Sequence, residues 1–184
     1  MIDTKFIDDF IANNKQFPED YDTSDLWKSI KQALTDCGVP CTDKEAQEFG
    51  EWHCNSLSFY ALCKARGFIE FPYSIWFEKL YKAKLVTKKG FLSDKLKIAK
   101  FFAFDDKFSE LVYFYTYKDC MDGVGLDKEK GYNIKVDNNA GDGDHFMAGY
   151  VEDELMVDDS GNRGLRRKAR EVIPKNKFKW LLEV

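Results

Sequence analysis

The sequence predicts an α+β fold in which a helical N-terminal half packs on an antiparallel sheet from the C-terminal half. Up to about residue 104, apolar residues recur at the three- and four-residue spacing of amphipathic helices. From residue 111 onwards, short β-branched and aromatic runs alternate with segments rich in Gly, Asp and Asn, which is typical of strands and turns. We therefore expect residues 1–184 to form a single domain, with residues 1–40 as a possible helical N-terminal extension.

The composition is that of a globular protein. Hydrophobic residues make up 44% of the 184 residues, so the chain has enough apolar surface to bury a core. The net charge of −4 gives no general attraction to nucleic acid or anionic membranes, and no apolar run is long enough for a membrane span. Five cysteines without the spacing of a secreted disulfide framework, and no signal-peptide pattern, predict a cytoplasmic protein, or a phage-encoded or non-classically exported one. We predict no cofactor and no metal.

Periodicity and capping residues predict the helices of the first half. Ser24 is the expected N-cap of the second helix, and Gly38 follows its end. Thr42 and Glu45 fit a capping box, so a short third helix carries Gln47. The remaining helices are predicted over residues 3–14, 56–66, 72–85 and 93–104.

The second half predicts a hairpin. Residues 145–151 and 154–157 read as two strands that turn at Glu152 and Asp153. A hairpin brings the start of its first strand beside the end of its second strand, so His145 is expected near Asp158 and Asp159. The other predictions for this half are a strand at 111–117, a long loop over 118–144 with one extended piece at 132–136, and final strands at 170–173 and 178–184.

Cys54 lies where the fourth helix is expected to begin. The unpaired backbone N–H groups and the positive dipole end of a helix N-terminus favour the thiolate, which is the nucleophilic form of cysteine. The same N–H groups can stabilise the oxyanion that forms when sulfur attacks a carbonyl group. The helix that follows has Leu57, Tyr60 and Ala61 on one face and Gly67 as its C-terminal cap. Cys54 is therefore the candidate nucleophile.

Two histidines are candidates for the base. His53 directly precedes Cys54, and adjacent side chains point in different directions, so we expect His53 to cap the helix or to line the cleft. His145 opens the predicted hairpin, whose second strand ends at Asp158 and Asp159. A carboxylate next to the imidazole would fix its tautomer and hold the ring toward the thiol. A nucleophile, a base and an orienting acid can thus all be assigned.

These stretches resemble the papain-like cysteine hydrolases, which place Cys at a helix N-terminus, His at the start of a downstream strand and Asn or Asp at the end of the next one. The matching stretches are 47–54 (QEFGEWHC), 144–150 (DHFMAGY) and 157–161 (VDDSG). The helix sequence CNSLSFYALCKARGF is similar to the nucleophile helix of NlpC/P60-type cell-wall amidases and peptidases. The long separation of Cys54 from His145 and the ending VIPKNKFKWLLEV resemble the C39-like bacteriocin-processing peptidases.

The resemblance covers roughly residues 44–184 and implies a papain-like fold that cleaves an amide or peptide bond through a thioester acyl-enzyme. Cys54 would be the nucleophile, His145 the general base and acid, and Asp159 the orienter, with Asp158 as the alternative. Gln47 would match the glutamine that precedes the nucleophile and lines the oxyanion hole. The implied substrates are protein peptide bonds or peptidoglycan stem peptides, which the residues do not distinguish.

Other interpretations stay open. Residues 66–69 (RGFI) are similar to a step that follows the Cys helix of transglutaminase-like proteins, which transfer the acyl group to an amine. A catalytically inactive phage or bacterial structural or interaction protein could use the same scaffold. Zinc is disfavoured because Cys37, Cys41, His53 and Cys54 lack the spacing of common structural sites. A basic cluster is expected to be a solvated strand edge or to meet an acidic substrate group: Arg163, Arg166, Arg167, Lys168 and Arg170.

Overall fold

The computed structural model describes residues 1–19, 24–108, 112–113, 117–137, 144–161 and 165–184. These residues form an α+β fold in which helices of the first half pack on an antiparallel sheet of the second half. The fold class predicted from periodicity is therefore confirmed at this level. Within the described residues, no helix is long and apolar enough to cross a membrane.

The second and third helices of the first half begin at the capping residues predicted from the sequence. The Ser24 side chain accepts a hydrogen bond from the Trp27 N–H, and Thr42 and Glu45 form a reciprocal capping box. Gly38 and Gly67 follow the second and fourth helices with φ angles of +72° and +69°, which glycine adopts without strain. The helices are α1 Thr4–Asn13, α2 Asp25–Asp36, α3 Asp43–Gly50, α4 Cys54–Ala65, α5 Tyr73–Lys82 and α6 Lys95–Phe101.

The sheet is antiparallel throughout and, in the described residues, has the strand order β1-β6-β2-β3-β4-β5. The predicted hairpin is present as β3 and β4, with Ala148 paired to Asp158 and Val151 paired to Leu155. The strands are β1 Val112–Tyr113, β2 Gly131–Asp137, β3 Asp144–Val151, β4 Leu155–Asp158, β5 Arg167–Lys168 and β6 Phe178–Glu183.

Two short helices depart from the sequence predictions. The predicted strand at 170–173 is wrong, because this stretch forms α8, Ala169–Val172, with Lys168 as the last residue of β5. Ala169 and Ile173 are both buried at a spacing of four, which is the period of a helical turn and not of a strand. Part of the predicted long loop is α7, Tyr117–Met121. Residues 138–143 of that loop, and residues 111 and 114–116 of the predicted strand, lie outside the described residues.

Helix α4 lies at the centre of the fold. Apart from Asn55 and Lys64, all its residues are buried, because α1 covers one side and strands β2 and β3 cover another. Ala148 and Tyr150 project from the sheet into this helical core, whereas Met147 belongs to a second core on the opposite face beneath α7 and α8. This burial fixes the N-terminus of α4 against the hairpin strand that carries His145.

The N-terminal residues are packed into the same helical core. Ile2, Ile7 and Ile11 are buried there together with Leu26. Burial of four aliphatic side chains contributes on the order of 1.5–3 kcal/mol each. Helix α1 is therefore held against α4, and α2 is held against α3 and α5.

Candidate active site

Cys54 is the first residue of α4 and is 8% exposed. It lies at the positive end of a helix whose flanks are surrounded by protein, where the dipole is screened less than at a surface. The side chain of Ser58, one turn later, donates a hydrogen bond to the Cys54 carbonyl oxygen at 2.8 Å. The thiol is thus held at a rigid helix terminus.

His145 is the second residue of β3, and its ring lies between Asp159 and Cys54. Its Nε2 contacts Asp159 Oδ1 at 2.6 Å, and the Cys54 side chain is near enough to the imidazole to raise its pKa. Because Nε2 faces the carboxylate, Nδ1 is the ring nitrogen that remains for the sulfur. The same Asp159 oxygen accepts a hydrogen bond from the Gly161 N–H at 2.7 Å, which fixes the carboxylate.

The charge of His145 follows from these partners. Burial by itself lowers the pKa of a histidine, but the hydrogen bonds to Asp159 and Cys54 and their negative charge outweigh it and raise the pKa of His145 to about 9. The ring is therefore an imidazolium at neutral pH. A protonated histidine beside a thiol at a helix N-terminus is the arrangement that stabilises a thiolate.

Asp159, and not Asp158, contacts His145. The Asp158 carboxyl group accepts a hydrogen bond from the Arg166 backbone N–H at 2.6 Å and faces Asp8 of α1. Burial, together with a hydrogen bond to Asp8, raises the pKa of Asp158 to about 8, so it is protonated at neutral pH. Asp8 also accepts a hydrogen bond from the Tyr150 hydroxyl at 2.9 Å. Asp158 thus joins α1 to the hairpin and faces away from the thiol.

The structure does not bring Gln47 together with the other three predicted residues. Gln47 is exposed on α3, and no contact among the described residues joins its side chain to Cys54 or His145. The oxyanion role that the resemblance implies for Gln47 stays a prediction.

A different glutamine, Gln16, lies beside the site and was missed by the sequence analysis. It is 1% exposed and follows α1 by three residues. Its partners are Glu51 and Ser160, which are 35 and 144 residues away in the chain. No local pattern predicts contacts of that separation, and a single polar residue after a helix is an ordinary loop signal.

His53 is neutral and structural. Its ring is fully buried, with Nδ1 at 2.7 Å from the Tyr73 hydroxyl and Nε2 at 3.0 Å from the Lys88 carbonyl oxygen. Burial lowers the pKa of His53 to about 4, and the Lys88 carbonyl opposes this only in part. His53 is the N-cap residue of α4, but its side chain makes no cap hydrogen bond and is fully buried, so it does not line a cleft.

A second polar group missed by the sequence analysis lies under α4. Asn133 of β2 donates a hydrogen bond to Ser58 Oγ at 2.7 Å and accepts one from the Lys95 ammonium group. That ammonium lies 5.3–5.5 Å from the ring centroids of Phe59, Phe146 and Trp180. Lys95 as a whole is half-buried, but its charged end is enclosed by these rings, and this burial, with Lys135 nearby, lowers its pKa to about 7.

The basic cluster pairs within the protein. Arg166 contacts Glu152 and Asp8. The remaining described members pair as follows: Arg167 with Glu171, Lys168 with Glu154, and Arg170 with Glu154 and Asp122. Arg163 lies outside the described residues. The charges at the β5 edge are thus neutralised by acids of the same chain, and such exposed pairs contribute little to stability.

Comparisons of the chain with protein-family models, curated proteins and solved structures found no match. Among the described residues, no group of three or more His, Cys, Asp or Glu side chains is arranged to hold a metal ion. The fold and the site define a protein with a buried thiol at a helix N-terminus, beside a histidine that a carboxylate orients.

Proposed function

We propose that the protein is a papain-like cysteine hydrolase that cleaves an amide or peptide bond. One observation carries the proposal: Asp159 contacts His145 at 2.6 Å while the same imidazole interacts with Cys54, the first residue of α4. The order of elements, a Cys helix followed by a His strand and an Asp after the next strand, supports the papain-like type. A thiol, a base and an orienting carboxylate together are the requirement for nucleophilic catalysis by cysteine.

Acylation begins with attack of the Cys54 thiolate on the carbonyl carbon of the substrate. The negative charge that develops on oxygen meets the N–H groups at the start of α4, with Gln47 as a predicted further donor. The His145 imidazolium gives its proton to the amide nitrogen, the C–N bond breaks, and the amine leaves a thioester on Cys54. Asp159 stays ionised and keeps the ring oriented throughout.

In deacylation His145 accepts a proton, whereas in acylation it gave one away. The neutral His145 ring takes a proton from water, and the oxygen attacks the thioester carbonyl. The C–S bond breaks, the carboxylic acid product leaves and releases its proton to solvent, and the thiolate returns beside the imidazolium. If an amine replaced water at this step, the same residues would catalyse transamidation, so the acceptor distinguishes the two reactions.

The first test is alkylation of the native protein with iodoacetamide between pH 5 and 9, mapped for each cysteine, with His145→Ala alongside. We expect Cys54 to react fastest near pH 6 and to slow in the variant, because the imidazolium partner is lost. Cys63 is the internal control, since complete burial raises the pKa of its thiol and blocks access. Labelling of Cys54 at the rate of half-buried Cys37, unchanged in His145→Ala, would refute the proposal.

The second test separates the substrates. The protein and a Cys54→Ala variant are incubated with peptidoglycan stem peptides, with a denatured protein, and with each of these plus a fluorescent primary amine. New termini that depend on Cys54 identify a hydrolase and its substrate class. Incorporation of the amine without new termini would instead identify acyl transfer.

A further inference from the structure

Gln16 joins two turns that belong to different parts of the candidate site. Its side-chain N–H donates to the Glu51 carbonyl oxygen at 2.7 Å, three residues before Cys54. Its side-chain oxygen accepts from the Ser160 hydroxyl at 3.1 Å, one residue after Asp159. Its backbone N–H donates to the Ser160 carbonyl oxygen at 2.8 Å. One side chain therefore holds the turn before the nucleophile and the turn after the orienter together.

The carboxamide lies close to the His145–Asp159 pair. A Cβ atom placed on Gly161 would lie 3.1 Å from Asp159 Oδ1, 3.4 Å from His145 Cε1 and 3.7 Å from Gln16 Oε1. Asp159, His145 and Gln16 therefore all lie close to the same side of Gly161. Gln16 contacts the chain segment that fixes Asp159, and neither Glu51 nor Ser160 contributes a reacting atom.

The hydrogen bonds of Gln16 lie in the protein interior, where the loss of one costs more free energy than at the surface. Gln16 and Ser160 are 1% and 2% exposed, so water cannot replace a lost partner. A buried polar group left without a partner costs more than a hydrogen bond gains. Helix α1 holds the segment that carries Gln16, because Ile7 and Ile11 are buried in the helical core.

We propose that Gln16 is a positioning residue that fixes the turn at residues 159–161 against the turn at residues 51–53, and so sets the approach of His145 to Cys54. This inference rests on the proposed function and adds the N-terminal segment to its machinery. Glutamine suits the role because one planar group supplies both a donor and an acceptor. Methionine fills a similar volume without hydrogen bonds, and glutamate keeps the acceptor but loses the donor.

The test compares Gln16→Met with Gln32→Met, a matched control on the exposed face of α2, whose amide contacts only Asp36 among the described residues. The measurement is the rate constant of Cys54 alkylation across pH 5 to 9. We expect Gln16→Met to slow alkylation at pH 6 by roughly tenfold and to shift the pH profile toward that of Asp159→Asn. Gln16→Glu should be slowed as well, and Gln32→Met should match the wild type.

A double-variant cycle distinguishes positioning from general loss of structure. If Gln16 acts through Asp159, Gln16→Met changes the rate less than about twofold in an Asp159→Asn background. Cys63 reports unfolding, because it is fully buried and labels only when the core opens. If Gln16→Met makes Cys63 react, the variant has lost structure. Ser160→Ala, which removes only the hydrogen bond to Gln16, then replaces it in the same measurements.

The outcomes separate this inference from the proposed function. If Gln16→Met keeps the wild-type pH profile while His145→Ala slows Cys54, the positioning role is wrong and the hydrolase site stands. An effect of Gln16→Met that is undiminished in the Asp159→Asn background also overturns the role. If His145→Ala has no effect on Cys54 in the wild-type background, both proposals fall.

Discussion

The two histidines near Cys54 differ in charge at neutral pH. His53, its neighbour in sequence, is neutral, whereas His145, its neighbour in space, is positively charged. Both are nearly or fully buried, yet the pKa of His53 is lowered to about 4 and that of His145 is raised to about 9. His53 faces a phenol hydroxyl and a carbonyl oxygen, which cannot offset the desolvation of a charged ring. His145 faces a carboxylate. Burial alone therefore does not decide the charge of a histidine, and adjacency to the thiol in sequence does not make one its base.

The largest expected effect is on the pH dependence of stability. The unfolded chain releases the His145 proton near pH 6.5, whereas the folded protein keeps it to about 9, so the free energy of unfolding falls as pH rises through this window. The loss is at most on the order of 3 kcal/mol, because ionisation of the Cys54 thiol in the folded site offsets part of it. His145→Ala should lack this decline in denaturant titrations at pH 6, 7.5 and 9. Asp158, with its raised pKa, adds a decline that both proteins share.

The same titrations test the contrast with His53. Between about pH 6.5 and 4 the unfolded chain gains a proton on this residue before the folded protein does, so acid destabilises the fold over that range. This loss of stability between about pH 6.5 and 4 should persist in His145→Ala. If it disappears together with the alkaline decline, the two rings do not titrate independently.

The next effect distinguishes the neighbouring carboxyl groups. Asp159→Asn removes the charge that holds His145 protonated, and we expect Cys54 alkylation at pH 6 to slow by roughly 30-fold or more. Asp158→Asn should leave the rate unchanged and should stabilise the protein above pH 8, because an amide resembles the protonated acid. Equal slowing by the two variants would contradict the geometry of the site.

A smaller effect is expected at Gly161. In Gly161→Ala the new methyl group would lie 3.1 Å from Asp159 Oδ1 and 3.4 Å from His145 Cε1, so the pair must shift by a few tenths of an ångström. We expect roughly tenfold slower alkylation of Cys54, since orientation is sensitive to such shifts. Gly38→Ala serves as a control for backbone strain alone, because its Cβ meets no atom within 4 Å and its φ is +72°.

The smallest effect on Cys54 is expected at the other histidine. Tyr73→Phe removes the hydroxyl that contacts His53 and Ser56 and should lower the free energy of unfolding by about 1–2 kcal/mol. The pH profile of Cys54 alkylation should not change, because His53 is neutral with or without this partner. A shifted profile would show that His53 participates in the site.

The sequence predicted the parts of the fold and site that depend on local spacing. Capping at Ser24 and Thr42 was confirmed because a cap needs partners only three residues away. The hairpin that brings His145 close to residue 159 was confirmed because strand alternation and a tight turn fix its register. The strand predicted at 170–173 failed, since four residues of mixed pattern do not distinguish a helical turn from a strand.

By itself the sequence determined the α+β class and the placement of a cysteine at a helix start and a histidine at a strand start. The tertiary structure decided which carboxylate meets the ring, since Asp158 and Asp159 are adjacent and alternate to opposite sides. It also decided the charges of the two histidines and the contacts of Gln16, whose partners lie 35 and 144 residues away. Each of these depends on which groups share a buried volume, and distance along the chain does not encode that.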